Sequence, residues 1–311
     1  RDSDGRVRET SQSVDKHVPH TFITNHRDIV MDSAFLSISL LDNGFGNTME
    51  IAIGDNLLIR PWIKKLVRVD KAFIVQRSVS LRQMLASSAR PRRYMHYAIA
   101  TKHENIWIAQ REGRAKDSND RTQDSILKMM AMGGEGSIID RLKQLNLVPT
   151  ALSYEYDPCD YLKAQEFQQK RDIEGFKKSP KDDLVNMQTG IFGYKGRICF
   201  RVAGPLNDWL DTLPADMPKT ELFTAVASRI DKEIHRNYKL YVGNYVAADL
   251  LRGTQEFAAH YTSEEKTRFE AYLESRLEKV TLPNPDTAFL RERLLTMYAN
   301  PVFNYMAARQ E

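Results

Sequence analysis

The sequence predicts an α/β protein: a central, mostly parallel or mixed sheet flanked by helices, with a helical C-terminal extension. Three observations carry this. Short apolar runs of strand length recur through the first two-thirds of the chain, each closed by turn-forming or charged residues. Segments with helical apolar spacing lie between them, which is the alternation of βαβ units. After Leu206 the strand-like runs stop and helical periods continue to the end.

The first predicted strand covers residues 20–24 and leads into a titratable cluster. A helix follows over 33–41 and stops at Asn43-Gly44. Residues 49–53 (MEIAI) form the second strand, closed by Gly54-Asp55-Asn56. Residues 60–69 are short, basic and amphipathic. The third strand is 71–75 (KAFIV), with helices expected near 80–89 and 93–101. The fourth is 105–109 (NIWIA), running into Gln110-Arg111-Glu112-Gly113-Arg114. Helices over 125–132 and 137–146 flank Gly133, Gly134 and Gly136, glycines that end one helix and begin the next. The fifth strand is 147–154 (LVPTALSY) and the sixth 197–203 (RICFRVA), closed by Gly204-Pro205. Four helices are expected after that, over 219–238, 246–252, 263–280 and from 286 onward. At 311 residues, this divides into a flexible polar tail (1–16), a sheet domain (17–205) and a helical extension (206–311).

Composition narrows the function classes. Apolar residues make up 42% of the chain, enough for a sizeable core, and the net charge of +4 is mildly basic. Two cysteines, Cys159 and Cys199, are too few for a disulfide framework or a thiolate zinc site, and a reducing compartment is the default. The seven histidines form no HExxH pattern, so no metal is expected. No P-loop lysine accompanies the glycines at 133–136, and no G-x-S-x-G occurs. No apolar run approaches the roughly 20 residues of a membrane span. The start at Arg1 rather than Met fits a fragment or processed form, so an upstream anchor stays open. Residues 60–93 hold ten Lys or Arg against one acid, Asp70. With Trp62 and apolar residues interleaved, that suits an anionic membrane surface, or else a solvated basic face. Nucleic acid is not expected, because no aromatic stacking pattern accompanies Arg90, Arg92 and Arg93.

Chemistry collects at the predicted strand ends. In an open parallel sheet, ligands bind outside the carboxyl ends of the strands. There the first strand supplies His26, Arg27 and Asp28, the third Arg77, the fourth Arg111, Glu112 and Arg114, and the fifth Glu155. That is a base, a carboxylate partner and an anion clamp. Each residue also has a structural reading: Asp32 as a helix N-cap, Asp28 as a turn residue, the arginines as solvated loop residues and Glu112-Gly113 as an ordinary turn.

The order of these segments resembles the glycerophospholipid acyltransferases, the superfamily acting on glycerol-3-phosphate and lysophosphatidate. The first family block, a histidine followed by an aspartate, is similar to the stretch from Asn25 through His26 and Asp28 to Asp32. The second is similar to Phe73-Ile74-Val75-Gln76-Arg77-Ser78. The third resembles Ile108 to Arg114, with its Glu112-Gly113 and the following arginine. The fourth resembles Val148-Pro149 through Tyr154. The blocks run in family order across residues 21–155. His26 and Asp32 enclose five residues where the family has four, and Arg114 follows Gly113 directly. Either Asp32 fills the aspartate position through a one-residue bulge, or Asp28 substitutes for it; the apolar helix that follows favours Asp32.

The resemblance implies an O-acyltransferase of membrane-lipid synthesis. His26 would be the general base, partnered by Asp32 or Asp28. Arg77, Arg114, Arg111, Glu112 and Gly113 would hold a phosphorylated glycerol acceptor. The donor would be an acyl thioester, acyl-CoA or acyl-carrier protein, as co-substrate, with no metal or redox cofactor. The expected location is cytoplasmic and peripheral, on the inner face of a membrane. An aminolipid acceptor, or a non-catalytic membrane-binding module built on the same fold, are the competing readings.

Overall fold

The computed structural model of the protein describes residues 14–54, 65, 67–69, 71–75 and 89–310. It contains one six-stranded mixed sheet, mostly parallel, flanked by helices. The strands are β1 (Thr21–Thr24), β2 (Glu50–Gly54), β3 (Ala72–Val75), β4 (Ile106–Ala109), β5 (Leu147–Tyr154) and β6 (Ile198–Val202), in the spatial order β3-β2-β4-β1-β5-β6. Every neighbouring pair is parallel except β5 and β6. All six predicted strands are present, within a residue or so of their expected limits. Most of the predicted tail, the helix expected over 80–89, Arg77 and most of the basic stretch 60–93 lie outside the described residues.

The parallel sheet explains why its central strands read as unbroken apolar runs. All four residues of β1 and all eight of β5 are buried, because both faces are covered. Alternate side chains serve the two faces. Ile23, Ile106, Ile108, Leu147 and Ala151 point to one side. There they meet α2 (Ala89–Ala100), α3 (Asp124–Met130), α4 (Ile138–Lys143) and α8 (Lys219–Arg236), the last through Leu222, Phe223, Val226, Ile230 and Ile234. Phe22, Trp107, Val148 and Leu152 point to the other side, against Leu36 and Leu40 of α1 (Met31–Asp42) and against Phe45 and Met49.

Two of the longer helices have no counterpart in the sequence reading: α5 (Asp160–Asp172) and α6 (Pro180–Phe192). After β6 come the short α7 (Asn207–Leu210) and α8, then α9 (Val242–Arg252), α10 (Ser263–Leu277) and α11 (Thr287–Gln310). A third apolar cluster joins Ala164 of α5 to Val246, Phe269, Leu273, Leu294 and Tyr298 of these helices. Because α8 closes one face of the sheet and α11 packs on α5, residue 206 marks a change of secondary structure rather than a break in packing.

Candidate active site

Five parallel strands place their carboxyl ends on one edge of the sheet, and three chain segments converge there: 25–32 after β1, 110–123 after β4 and 155–159 after β5. The exit from β1 is fixed by Asn25. Its side-chain amide donates to the Leu152 carbonyl (2.9 Å) and accepts from the Leu152 N–H (2.8 Å), continuing the β1–β5 ladder with a side chain. The next residue, His26, is therefore held at a set height above the sheet.

His26 is buried, and its Nδ1 lies 2.8 Å from Oδ2 of Asp32. Asp32 stands in the first turn of α1, fully buried, and its carboxylate takes three further kinds of donor. The backbone N–H of Arg27 donates at 2.7 Å, that of Asp28 at 3.0 Å to each oxygen, and the Tyr154 hydroxyl at 2.9 Å to Oδ1. A buried polar group must be hydrogen-bonded, and both oxygens of Asp32 are. The Nδ1 contact leaves Nε2 as the ring nitrogen available to a substrate. The His26 ring also meets the edge of Trp107 at 5.8 Å, and the Trp107 indole N–H is anchored on Thr24 Oγ1 at 3.1 Å.

Asp28 has a different task. Its Oδ1 accepts the N–H groups of Val30 and Met31, both at 2.9 Å, and so satisfies the open amino end of α1, where Val30 itself supplies no side-chain cap. Burial, and then the neighbouring Asp32 charge, push its carboxyl above the usual range; the two N–H groups and Arg114 pull the other way.

Arg114 comes from the loop after β4 and is buried against α6, where its Nη2 donates to Asn186 Oδ1 at 2.9 Å. Its Nη1 is buried without a hydrogen-bond partner among the described residues. Arg111 is half-buried, with its Nε likewise without a partner among those residues. Glu112 is exposed, and among the described residues it joins this network through its backbone N–H, which donates to Gln123 at 2.6 Å. Gly113 turns the chain at φ +67°, a left-handed conformation that glycine adopts without cost. Glu155, expected at this edge, instead forms a two-pronged pair with Arg197 (2.9 and 3.0 Å), beside β6. The alternation of a strand accounts for this: Tyr154 points in to Asp32, so the next residue points away.

The sequence reading missed several groups that complete the site. Arg27, taken as a strand-end cation, is spent on a two-pronged pair with Asp120, which Tyr238 of the chain following α8 also engages. Lys163 of α5 donates to the Arg27 carbonyl at 3.0 Å and pairs with Asp157. Burial pushes Asp157 up, but Lys163, the Cys159 N–H and Arg114 together hold it below the usual carboxylate range. Lys195 is buried with its Nζ on the Gly193 carbonyl at 3.0 Å. Burial lowers its pKa, against the pull of Asp28, Cys159, Asp157 and Asp32. Cys159 is pushed up to about 12, first by burial and then by Asp157, so its thiol stays protonated. No local sequence pattern announces Tyr154, Asp157 or Lys195. The Ser179-Pro180 start of α6, with its Asp182 capping box, was a readable signal for the helix that carries Asn186.

The cluster thus holds a His–Asp pair, a second carboxylate engaged in capping, and two cations, Arg114 and Lys195, that form no ion pair among the described residues. That set can accept a proton at His26 and hold an anionic group beside it. Among the described residues, no group of three or more His, Cys, Asp or Glu side chains is arranged to hold a metal ion, and no helix is long and apolar enough to cross a membrane. Compared with known proteins, the chain matches no family model and no curated sequence.

Proposed function

We propose that the protein is an O-acyltransferase that moves a fatty acyl group from an acyl thioester to the hydroxyl of a phosphorylated glycerol acceptor in membrane-lipid synthesis. The observation that carries this reading is the His26–Asp32 contact of 2.8 Å at the carboxyl edge of a parallel sheet, with Asp32 pinned by two backbone amides and Tyr154. It stands beside a resemblance in four ordered sequence blocks.

The chemistry follows from the groups present. Nε2 of His26 takes the proton of the acceptor hydroxyl as its oxygen attacks the thioester carbonyl carbon. Asp32 orients the ring and stabilises the imidazolium, as in hydrolase triads. The tetrahedral intermediate collapses, the C–S bond breaks, and the departing thiolate takes the proton back from His26. The thioester is already activated, so no enzyme nucleophile is required. The protonated, buried Cys159 fits a direct attack by the acceptor better than a thiolate route. Arg114, with a free buried donor, and Lys195 supply the positive field for the acceptor phosphate, where the forked guanidinium gives directed, charge-assisted bonds. Arg77 is the further candidate for that clamp.

The test is to incubate the purified protein with acyl-CoA or acyl-carrier-protein thioesters and a panel of glycerol-phosphate, lysophosphatidate and aminolipid acceptors. Acceptor-dependent thiol release, with an acylated product identified by mass, is expected. Thiol release that no acceptor stimulates would overturn the reading.

A further inference from the structure

Helix α6 has two unlike faces. Asn186, Met187 and Gly190 are buried, and two of them face the candidate active site: Asn186 holds Arg114, and a Cβ added at Gly190 would lie 2.0 Å from Asp28 Oδ2. Lys181, Val185, Gln188 and Phe192 are all exposed. Their spacing of four, three and four residues stacks them on a single stripe of the helix. Ile191 adjoins that stripe, and Tyr194 follows just past the helix end. Phe192 is 82% exposed and Tyr194 74% exposed, the former being the most exposed large apolar side chain among the described residues.

This tip is packed closely at its base. The Gly193 N–H closes the helix on the Thr189 carbonyl at 2.8 Å. A Cβ at Gly193 would meet Pro158 at 2.4 Å and Thr189 O at 2.5 Å, so the turn is packed tightly on the 157–160 segment. Tyr194 leans on Tyr156 with ring centroids 5.7 Å apart.

The composition of the face identifies its partner. Its only charge is Lys181, which forms no ion pair among the described residues, and exposed Lys177 lies just before the helix. A lysine whose stem runs along an apolar stripe can reach anionic phosphates while the apolar groups go deeper. A tyrosine beside a phenylalanine matches the headgroup boundary, where aromatic rings with a polar tip collect. A protein interface of ordinary size draws on about 20–30 residues a side, whereas this is a narrow protrusion of four apolar side chains.

We propose that the exposed face of α6 is a lipid-interface contact, with Ile191, Phe192 and Tyr194 entering the surface of an anionic bilayer and Lys181 at its phosphates. The opposite face of the same helix meets Arg114 and Asp28, so the contact sets that wall of the site beside the lipid surface. That consequence for substrate delivery rests on the acyl-transfer reading; the lipid contact does not.

The test is sedimentation of the full chain with vesicles of phosphatidylcholine alone, or with a share of phosphatidylglycerol, in the absence of turnover, so that its failure is distinct from a failure of acyl transfer. The double variant Phe192→Asp/Tyr194→Asp should bind both vesicle types at least about tenfold more weakly, with an unchanged melting temperature. Lys181→Glu should weaken binding to the anionic vesicles only. The proposal is overturned if the unsubstituted protein binds neither vesicle, or if the double variant sediments as well as it does. It is equally overturned if the double substitution instead dissolves a dimer seen by size exclusion, which would make a second copy of the chain the occupant.

Discussion

The imidazole of His26 and the carboxylate of Asp32 meet at 2.8 Å although they belong to different elements, one just past the end of β1 and the other in the first turn of α1. The turn between them folds back so that the Arg27 and Asp28 amides also point at Asp32. Removing the base should therefore leave this loop standing, since Asp32 keeps its amides and Tyr154. His26→Ala is expected to keep its circular dichroism and melting behaviour while acyl transfer falls by about 10²–10⁴-fold, the usual contribution of a general base. A variant that turned over substrate at the normal rate would remove His26 from the mechanism.

The two aspartates should separate cleanly. In Asp32→Asn the charge that stabilises an imidazolium is lost, and the amide must satisfy donors meant for a carboxylate. We expect at least a hundredfold loss of kcat. Asp28→Asn keeps a carbonyl oxygen for the Val30 and Met31 amides, so its activity should stay within about tenfold of the unsubstituted protein. Asp28→Ala loses the cap and should cost about 1 kcal/mol of stability, read as a lower denaturant midpoint. Equal kinetic damage from the two asparagine variants would mean that Asp28 also acts on the substrate.

Arg114 is expected to act on binding rather than on the chemical step. Losing a charge-assisted bond of about 1.5–3 kcal/mol predicts that Arg114→Ala raises KM for a phosphorylated acceptor by roughly 10–100-fold with little change in kcat. Asn186→Ala leaves the guanidinium in place but releases its Nη2 from the 2.9 Å anchor, so a rise of only a few-fold is expected. Steady-state kinetics with acceptors bearing and lacking the phosphate distinguish these effects from general damage. The KM rise should vanish for the acceptor without one.

The parts of the molecule legible in sequence are those where one physical signal dominates. β5 was readable from 147 to 154 because a strand covered on both faces has no polar alternation to blur its limits. Helix α5 was invisible for the opposite reason. Its buried positions include Asp160, Lys163, Glu166 and Gln168, so it shows no apolar stripe; its place depends on partners such as Arg276 and Asp157, far along the chain or on another element. The site divides in the same way. His26 and Asp32 are six residues apart and could be read as a pair, whereas Tyr154 reaches Asp32 across 122 residues. Glu155 misled for want of strand phase, which the Tyr154–Asp32 contact and the Tyr154↔Ile198 pairing of β5 with β6 supply.

Asp231 gives a pH signature for the contact between α8 and the site loop. Its Oδ1 accepts from the Thr122 N–H at 2.8 Å and the Thr122 hydroxyl at 2.6 Å, and burial raises its pKa to about 6. A carboxyl raised on folding is neutral in the native state where the unfolded chain is already ionised. Its contribution to stability is thus full below the unfolded value of about 3.9 and is lost as pH rises through about 6. Asp231→Asn keeps an acceptor for Thr122 and removes the ionisation. Its melting temperature relative to the unsubstituted protein should climb between pH 4 and pH 7, reflecting a stability difference on the order of 2–3 kcal/mol at most. A difference that stayed flat across that window would show that Asp231 does not titrate there.

Gly190→Ala sets two effects of opposite sign against each other. Alanine in place of glycine inside a helix normally gains about 1 kcal/mol, and Gly190 lies near the end of α6 with an ordinary helical φ. Its missing Cβ, however, would fall 2.0 Å from Oδ2 and 2.8 Å from Cγ of Asp28. A carboxylate at the tip of a long side chain could swing aside, but Asp28 is short, buried, and tied by Oδ1 to the Val30 and Met31 amides. Relief would require breaking that cap or pushing α6 outward, which would also draw Asn186 away from Arg114. Overpacking of this kind costs about 1–3 kcal/mol, so the loss should outweigh the helical gain. We expect a lower melting temperature together with a raised acceptor KM. In the double variant Asp28→Ala/Gly190→Ala, where the clash is gone, the alanine at 190 should cost less than it does alone, and a double-mutant cycle showing no such coupling would contradict the close approach of the two residues.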